Sequence, residues 1–189
     1  MVEPALKYIT AEKYLELERA AIEKHEFYQG EMFVMPGATV KHNRIQRNFI
    51  RRTGNFLEVH TCEVFGSDLR VHIPSNSLFT YPDALIVCGK PELLDDELDT
   101  LLNPVVIVEI LSKSTQSYDR GDKFMLYRAI SSLKEYILIS SEVVQVEHFC
   151  KREDGTWLLK EWKDRSDVLH LQSIDFLLPL SQLYDGVTF

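Results

Sequence analysis

The chain has 189 residues, of which 45% are hydrophobic and 26% are charged, and its formal net charge at pH 7 is −8. This length suits one domain with its own core, so we predict a single domain over residues 1–189. An acidic chain lacks the basic footprint of tight, non-specific nucleic-acid binding. Three cysteines without a CxxC spacing argue against a disulfide framework and a structural zinc site, and their odd number points to a reducing compartment.

The N-terminal segment contains acidic residues and has no apolar run of signal-peptide length. Elsewhere, no apolar run approaches the ~20 residues that a membrane-spanning helix needs. We therefore expect a cytoplasmic protein that has no membrane partner.

The first third of the chain predicts a helix, a hairpin and a second helix. Thr10 is a suitable N-cap for a helix that ends before His25. The segment HEFYQGEMFVM alternates around Gly30 and predicts two short strands. From Val40 to about Leu57 the apolar positions recur at helical spacing and predict a long helix.

Strands dominate the remaining two thirds. The segments CEVF, DLRVHI and DALIV predict strands, and the acidic residues 91–103 predict a solvated connection. The run NPVVIVEIL is apolar on both faces, as in a strand that is covered on both sides. A helix over KFMLYRAI, the strands EYILIS, VVQVEHFC and WLLKEW, and a short closing helix in LLPLSQLY follow. This order predicts an α/β (α+β) domain with one mixed central sheet flanked by helices.

Two acidic residues stand out against this background. Glu109 is the lone charge inside VVIVEIL, and a buried carboxylate is normally either paired with an internal Arg or Lys or bound to a metal. Asp83 opens the strand DALIV directly after Pro82; taken alone, it also fits an ordinary aspartate at a strand start. Together the two carboxylates favour a hard-cation site such as Mg²⁺, which uses one or two protein carboxylates together with water and phosphate.

An ordered series of motifs carries a family resemblance. The series comprises residues 66–71 (GSDLRV), 81–83 (YPD), 108–112 (VEILS), 118–120 (YDR) with Lys123 and Tyr127, and 134–136 (KEY). It resembles the Uma-type family of proposed restriction endonucleases, which share the restriction-endonuclease-like PD-(D/E)XK fold. The resemblance runs from about Thr10 to the C-terminus.

The resemblance implies an endonuclease that depends on Mg²⁺ (or Mn²⁺), in which Asp83 and Glu109 bind the metal. The sequence departs from the family pattern at Leu111, where the fold usually has the lysine that assists the attacking water. Lys113 and Lys123 are the two candidate substitutes, and the resemblance favours Lys123. A plain Asp119–Lys123 helix pair is the alternative role for Lys123.

Glu26 and His42 are further candidates for the catalytic site. By resemblance, Glu26 before the first hairpin turn is an additional ligand of metal or water. His42 shares a helical face with Ile45 and Phe49 and is therefore expected to point inward. The alternative for His42 is a core histidine whose hydrogen bonds are satisfied.

Residues 32–57 contain no acidic residue, although the chain as a whole is acidic. The basic residues of this segment are Lys41, Arg44, Arg47, Arg51 and Arg52. We expect Lys41, Arg44, Arg47 and Arg51, together with Lys113, to contact nucleic-acid phosphates, with DNA as the expected partner. A solvated surface or a subunit contact is the alternative, and the resemblance also implies a homodimer.

Three functions remain compatible with the sequence. The first is a metal-dependent endonuclease. The second is a catalytically silent nuclease-fold module that binds nucleic acid or protein, which the missing lysine at Leu111 and the pI near 5.3 favour. The third is a hydrolase of a different phosphate ester, which fold-level analogy alone does not exclude. The carboxylate inside VVIVEIL argues for the first, since a scaffold has no need for it.

Overall fold

The computed structural model describes residues 8–189. Helix α1 (Ala11–Ala20) begins at Thr10, whose hydroxyl accepts a hydrogen bond of 3.2 Å from the backbone N–H of Lys13. The helix turns Tyr14 and Glu18 inward. The predicted N-cap and first helix are therefore present, because a threonine hydroxyl satisfies a backbone donor that has no partner within the helix.

A five-stranded sheet follows α1 and has the order β2-β1-β5-β4-β7. Its strands are β1 (His25–Tyr28), β2 (Glu31–Val34), β4 (Arg70–Ile73), β5 (Leu78–Thr80) and β7 (Thr100–Leu101). Gln29 and Gly30 form the β1–β2 turn, and both have positive φ. A two-residue hairpin turn of this kind favours glycine, because glycine adopts positive φ without steric cost.

A six-stranded sheet forms the centre of the molecule, in the order β11-β10-β9-β8-β6-β3. Its strands are β3 (Cys62–Gly66), β6 (Ala84–Cys88), β8 (Val106–Leu111), β9 (Glu135–Ser140), β10 (Val146–Lys151) and β11 (Trp157–Trp162). Strands β8 and β9 run parallel, and the other neighbouring pairs are antiparallel. Every residue of β8 and β9 is buried, which explains why both strands have apolar residues at odd and at even positions.

The two faces of this central sheet are covered differently. On one face lie helix α2 (Val40–Leu57), the hairpin of β12 (Val168–Leu171) and β13 (Phe176–Pro179), and helix α5 (Leu180–Leu183). The other face packs against the five-stranded sheet and Tyr127. We call these the α2 face and the Tyr127 face. Because side chains alternate along a strand, odd-numbered residues of β8 point to the Tyr127 face, and even-numbered ones point to the α2 face.

The segment between β8 and β9 is helical but irregular. It consists of α3 (Gln116–Tyr118), a π-helical turn (Asp119–Lys123) and α4 (Phe124–Tyr127). The predicted helix thus begins earlier than KFMLYRAI, and it contains a widened turn that no apolar periodicity indicates. Such π-helical turns occur frequently at functional sites.

The predicted α/β class is confirmed, but the strands form three sheets where one central sheet was expected. The prediction missed three short strands. Strands β5, β7 and β12 contain two to four residues each, too few to show the alternation of apolar and polar residues. The closing segment LLPLSQLY begins as strand β13 and becomes helical only at Leu180. Within residues 8–189, no helix is long and apolar enough to cross a membrane.

The structure contains one disulfide, which the sequence did not predict. Cys62 and Cys88 form a disulfide, because the antiparallel register of β3 and β6 places them directly opposite each other. The two residues are 26 positions apart in the chain, so spacing gave no sign of the pairing. Cys150 is free and buried.

Candidate functional site

Two strands bring Asp83 and Glu109 to the same edge of the central sheet. The antiparallel register pairs Ala84 with Val108, so Asp83, one residue before β6, lies at the level of Glu109 on β8. Asp83 Oδ2 accepts a hydrogen bond of 2.7 Å from the backbone N–H of Ile110. This contact fixes the Asp83 carboxylate against the strand that carries Glu109.

Lys123 brings a positive charge to Glu109, whereas Leu111 does not. Leu111 shares the Tyr127 face with Glu109 but is packed in the apolar core. The Lys123 ammonium, from the π-helical turn, lies 2.9 Å from Glu109 Oε1. It is also 2.8 Å from Glu26 Oε1 and 3.8 Å from Asp119 Oδ1. The helix after β8 therefore places an amine beside Glu109.

Glu26 reaches this cluster from the five-stranded sheet. It lies on β1, which pairs with β5 through Phe27 and Phe79, and the neighbouring Thr80 hydroxyl donates to Glu26 Oε1. From α4, the Tyr127 hydroxyl donates to Glu109 Oε1 at 2.7 Å. The site thus lies between the two larger sheets and is closed by the irregular helix.

His42 is at the first turn of α2 and contacts Asp83. Its Nε2 atom is 3.0 Å from Asp83 Oδ2, and the Gln46 side-chain amide, one turn later, donates to the Asp83 carbonyl at 2.7 Å. The His42 Nδ1 atom is buried and has no hydrogen-bond partner among the described residues. His42 therefore points inward as expected, and its contact is a carboxylate of the candidate site.

The cluster carries more negative than positive charge. The cluster contains four carboxylates (Glu26, Asp83, Glu109 and Asp119) and one ammonium, which pairs with all of them except Asp83, so the fully ionised group has a formal charge of −3 when His42 is neutral. Burial, opposed by Lys123 and reinforced by Asp119 and Asp83, raises the pKa of Glu109 to about 8. Burial likewise raises the pKa of Asp119, and the surrounding acids keep the pKa of Lys123 well above its usual value despite burial. The site therefore favours uptake of positive charge, as protons or as a cation.

The donor atoms are of the kind that a hard divalent cation binds, while among residues 8–189 no three of these acids bring one oxygen each within 4.8 Å of one another. Among the described residues, the hydrogen bonds and ion pairs of Glu26 and Glu109 use Oε1, and those of Asp83 use Oδ2. The second oxygen of each carboxylate has no such partner. Oxygen donors of this kind are those that Mg²⁺ and Mn²⁺ prefer, and Mg²⁺ needs only one or two of them from the protein.

The candidate phosphate-contacting residues lie along α2 and after β8. Arg51 is exposed, whereas Arg44 donates to the Gly186 carbonyl at 2.9 Å and Arg47 donates to the Asn48 side chain at 3.1 Å. The Lys41 ammonium lies 5.7 Å from the centre of the Phe189 ring. Lys113 is largely exposed and lies 3.6 Å from Glu142. None of these contacts buries the positive charges, so α2 presents a basic surface next to His42.

The sequence interpretation did not assign site roles to Asp119, Tyr127 and Thr80. The spacing of Asp119, Lys123 and Tyr127 by four residues was a usable signal, since it places them on one side of a helix. Thr80 had no comparable signal, because its position depends on the pairing of β1 with β5.

A second polar group lies elsewhere in the described part of the chain. Glu135, His148 and Cys150 are all buried, and one ligand atom from each lies within 4.8 Å of the others. It is the one such set of three His, Cys, Asp or Glu residues among residues 8–189, and it does not include Asp83 or Glu109.

Comparison with known families identifies the fold. The model of the Uma2 family, described as "Putative restriction endonuclease", matches residues 11–181. The chain belongs to the Uma2 family. This confirms the family resemblance of the ordered motifs, and the match contains all four acids of the site as well as Lys123 and His42.

Two relatives come from Synechocystis sp. (strain ATCC 27184 / PCC 6803 / Kazusa), and both carry the description "Uncharacterized protein". The protein sll1609 is 38% identical over 161 residues, which cover 85% of this chain and 91% of the relative. The protein slr1290 is 34% identical over 181 residues, which cover 96% of this chain and 94% of the relative.

A solved structure has the same fold. It is a protein from Anabaena variabilis ATCC 29413 described as a "putative nuclease belonging to DUF820". The TM-score is 0.77 at 16% sequence identity, and the match covers 95% of this chain and 99% of that one. At this identity the likeness establishes the fold alone and leaves the chemistry to the residues of the site.

Proposed function

We propose that the chain is an endonuclease that hydrolyses phosphodiester bonds in nucleic acid, with DNA as the expected substrate and Mg²⁺ or Mn²⁺ as the cofactor. The observation that carries the proposal is the acidic cluster at the edge of the central sheet, where Lys123 pairs with Glu26, Glu109 and Asp119 and Asp83 lies at the level of Glu109. Glu109, Asp119 and Lys123 are buried. A scaffold has no need for this arrangement, because buried charges cost free energy unless they are paired or hold a cation. Membership of a family described as restriction endonucleases supports the same conclusion.

Each residue has a separate role in this proposal. Asp83 and Glu109 hold the cation through their uncommitted oxygens, and Glu26 adds a further oxygen for the metal or for water. His42 positions Asp83 through the 3.0 Å contact of its Nε2 atom. A bound divalent cation polarises the phosphate and lowers the pKa of a bound water.

Lys123 offsets negative charge. Its ammonium is held between Glu26 and Glu109, so it can orient a water molecule and stabilise charge that develops on the phosphate. The main argument for a silent module is that position 111 holds an apolar residue. The Lys123 amine counters this argument, because it lies within ion-pair distance of Glu109.

The basic surface of α2 positions the substrate. Lys41, Arg44, Arg47 and Arg51 provide contacts to phosphates, which fix the nucleic acid without reading its sequence. Lys113, just beyond the end of β8, adds a further contact. The proposal includes a homodimer, which would cut both strands, and a cytoplasmic location, where nucleic acid is accessible.

Cleavage of supercoiled plasmid and of single-stranded DNA in Mg²⁺ or Mn²⁺ tests the proposal. We expect metal-dependent cleavage by the native chain and no detectable cleavage by Asp83→Asn or Glu109→Gln. Lys123→Met should reduce the rate by roughly 10²-fold or more, as the loss of one charge-stabilising group does. The matched controls are Glu153→Gln and Lys160→Ala, which change exposed residues outside the site and the basic surface and should retain cleavage.

The result that overturns the proposal is a native chain that does not cleave with either metal while Asp83→Asn leaves nucleic-acid binding unchanged. The silent interaction module would then be the better description. Circular dichroism of each variant separates loss of chemistry from loss of fold. Direct Mn²⁺ binding, followed by electron paramagnetic resonance, separates loss of the metal from loss of the water-positioning amine.

A further inference from the structure

A second polar cluster lies on the opposite side of the central sheet from the candidate nuclease site. Glu135 begins β9, and His148 and Cys150 follow each other at alternate positions of β10. The register pairs Glu135 with Cys150 and Ile137 with His148. Because Ile137 belongs to the α2 face, all three side chains point to that face, while Glu109 points to the Tyr127 face.

The three ligand atoms converge on one point. His148 Nε2 is 2.5 Å from Glu135 Oε2 and 3.1 Å from Cys150 Sγ, while His148 Nδ1 is 3.6 Å from the same sulfur. Exposed fractions are 0% for His148, 1% for Glu135 and 6% for Cys150. The three side chains share a face of the sheet with apolar core residues, among them Ile137 and Val146.

The distances place both other groups nearest to the same ring nitrogen. His148 Nε2 faces the Glu135 carboxylate, and the Cys150 sulfur lies closer to Nε2 (3.1 Å) than to Nδ1 (3.6 Å). Because one imidazole nitrogen carries at most one proton, a nucleophilic triad, which needs the thiol and the carboxylate on different ring nitrogens, fits this arrangement less well. A shared centre for one nitrogen, one sulfur and one oxygen is the arrangement of metal ligands.

We infer that Glu135, His148 and Cys150 form a Zn²⁺ site that is separate from the nuclease site. Imidazole, thiolate and carboxylate are the zinc ligands of proteins, and three of them with one open position complete a tetrahedral shell with water. Tetrahedral bond lengths place such ligand atoms about 3.4–3.6 Å apart. The cluster reaches this spacing when the Nε2–Oε2 pair and the Nε2–Sγ pair each open by about 1 Å or less.

The surroundings support an ion at this place. Glu135 also accepts hydrogen bonds from the backbone N–H groups of Gln172 and Ser173, at 3.1 and 2.5 Å, and such outer contacts orient a metal-binding carboxylate. A surface cavity of about 290 Å³ borders Glu135 and Cys150, so an ion and a water molecule have a route to the open position. The site would tie the ends of β9 and β10 to the turn that follows β12.

Cobalt titration of the chelator-treated full chain tests the inference. We expect one Co²⁺ per chain with a thiolate-to-cobalt charge-transfer band, and displacement of Co²⁺ by Zn²⁺. Cys150→Ser should abolish the band and weaken Zn²⁺ binding by more than the roughly 10–100-fold that loss of an outer-shell partner costs. The control Cys62→Ser/Cys88→Ser leaves Cys150 as the only thiol and should keep the band. Asp83→Asn should also keep it, which makes the result independent of the nuclease proposal.

The inference is overturned if no charge-transfer band forms, or if the band survives in Cys150→Ser. Should Cys150→Ser fail to fold, alkylation of Cys150 in the Cys62→Ser/Cys88→Ser chain gives a second measurement. Bound Zn²⁺ should slow this alkylation at least about tenfold. An unchanged rate in saturating Zn²⁺ would leave the cluster as a buried hydrogen-bonded group.

Discussion

Glu109 links the candidate active site to the pH dependence of stability. Its pKa is raised to about 8 by burial, although Lys123 opposes the shift, whereas an unfolded chain has the ordinary value of 4.5. Between these values the folded chain holds a proton that the unfolded chain has lost. The stability from this proton is fully present below about pH 4.5 and is lost as the pH rises through about 8.

Without divalent cations, the free energy of unfolding of the native chain is therefore expected to fall as the pH rises from about 5 to about 8. Glu109→Gln cannot lose this proton, so its free energy of unfolding should fall less steeply over the same range. Urea denaturation at several pH values in a chelator measures both slopes. Glu153→Gln, an exposed residue, is the matched control. Parallel slopes for the native chain and Glu109→Gln would contradict the assignment.

Some residues of the site could be predicted from the sequence, because a buried charge and a helical spacing are visible in it. Glu109 stands out because a lone carboxylate in an apolar strand is costly, and Lys123 and Tyr127 share a helical spacing. The structure brings Glu26, His42, Asp83, Glu109 and Lys123 together in one place. The Glu135–His148–Cys150 group was not predicted. The sequence shows that His148 and Cys150 alternate along one strand, but it does not show that Cys150 pairs with Glu135, because that contact is long-range.

At the scale of elements, the strand prediction succeeded where a strand is long and failed where pairing alone defines it. Strand β8 is six buried residues and was evident from its composition. Strand β7 has two residues and exists because it pairs in parallel with β4. The division into sheets was hidden for the same reason, since β4 and β5 pair with each other and with β1 and β7, apart from the central sheet.

The Cys62–Cys88 disulfide joins two neighbouring strands of the central sheet, β3 and β6. A cross-link between residues 26 positions apart restricts the unfolded chain. Reduction is therefore expected to lower the free energy of unfolding by about 2–4 kcal/mol. Urea denaturation with and without a reductant measures the change, and the Cys62→Ser/Cys88→Ser chain should show no response to the reductant.

A count of free thiols in the denatured, unreduced protein checks the same assignment. One free thiol is expected, from Cys150. Three free thiols, with equal stability in the presence and absence of reductant, would show that the bond does not form in solution.

For the whole molecule, the distribution of charge matters more than its sum. The net charge of −8 opposes nucleic-acid binding at long range, whereas residues 32–57 contain only basic charges. Binding is therefore expected to require the α2 surface and to weaken steeply with salt, because each phosphate contact releases counterions.

The double variant Arg47→Ala/Arg51→Ala should reduce the slope of log K against log salt concentration by about 2, one for each lost phosphate contact. Fluorescence anisotropy with labelled DNA measures the slope, and the Asp83→Asn background prevents cleavage. The matched control Lys160→Ala/Lys163→Ala changes two lysines in and just after β11, at the far edge of the central sheet. An equal reduction in slope for both double variants would argue against a specific α2 surface.

The π-helical turn at Asp119–Lys123 has a consequence for how this protein can change over evolutionary time. A widened turn holds one more residue than an α-helical turn, and losing that residue rotates everything before it by about 100° relative to everything after it. Tyr118 and Asp119 would then swing away from Lys123 and Tyr127. The turn can accept substitutions, but a change in the number of residues between β8 and Tyr127 would move these side chains apart. Descendants of this chain should therefore differ in residue type within this segment and hardly ever in its length.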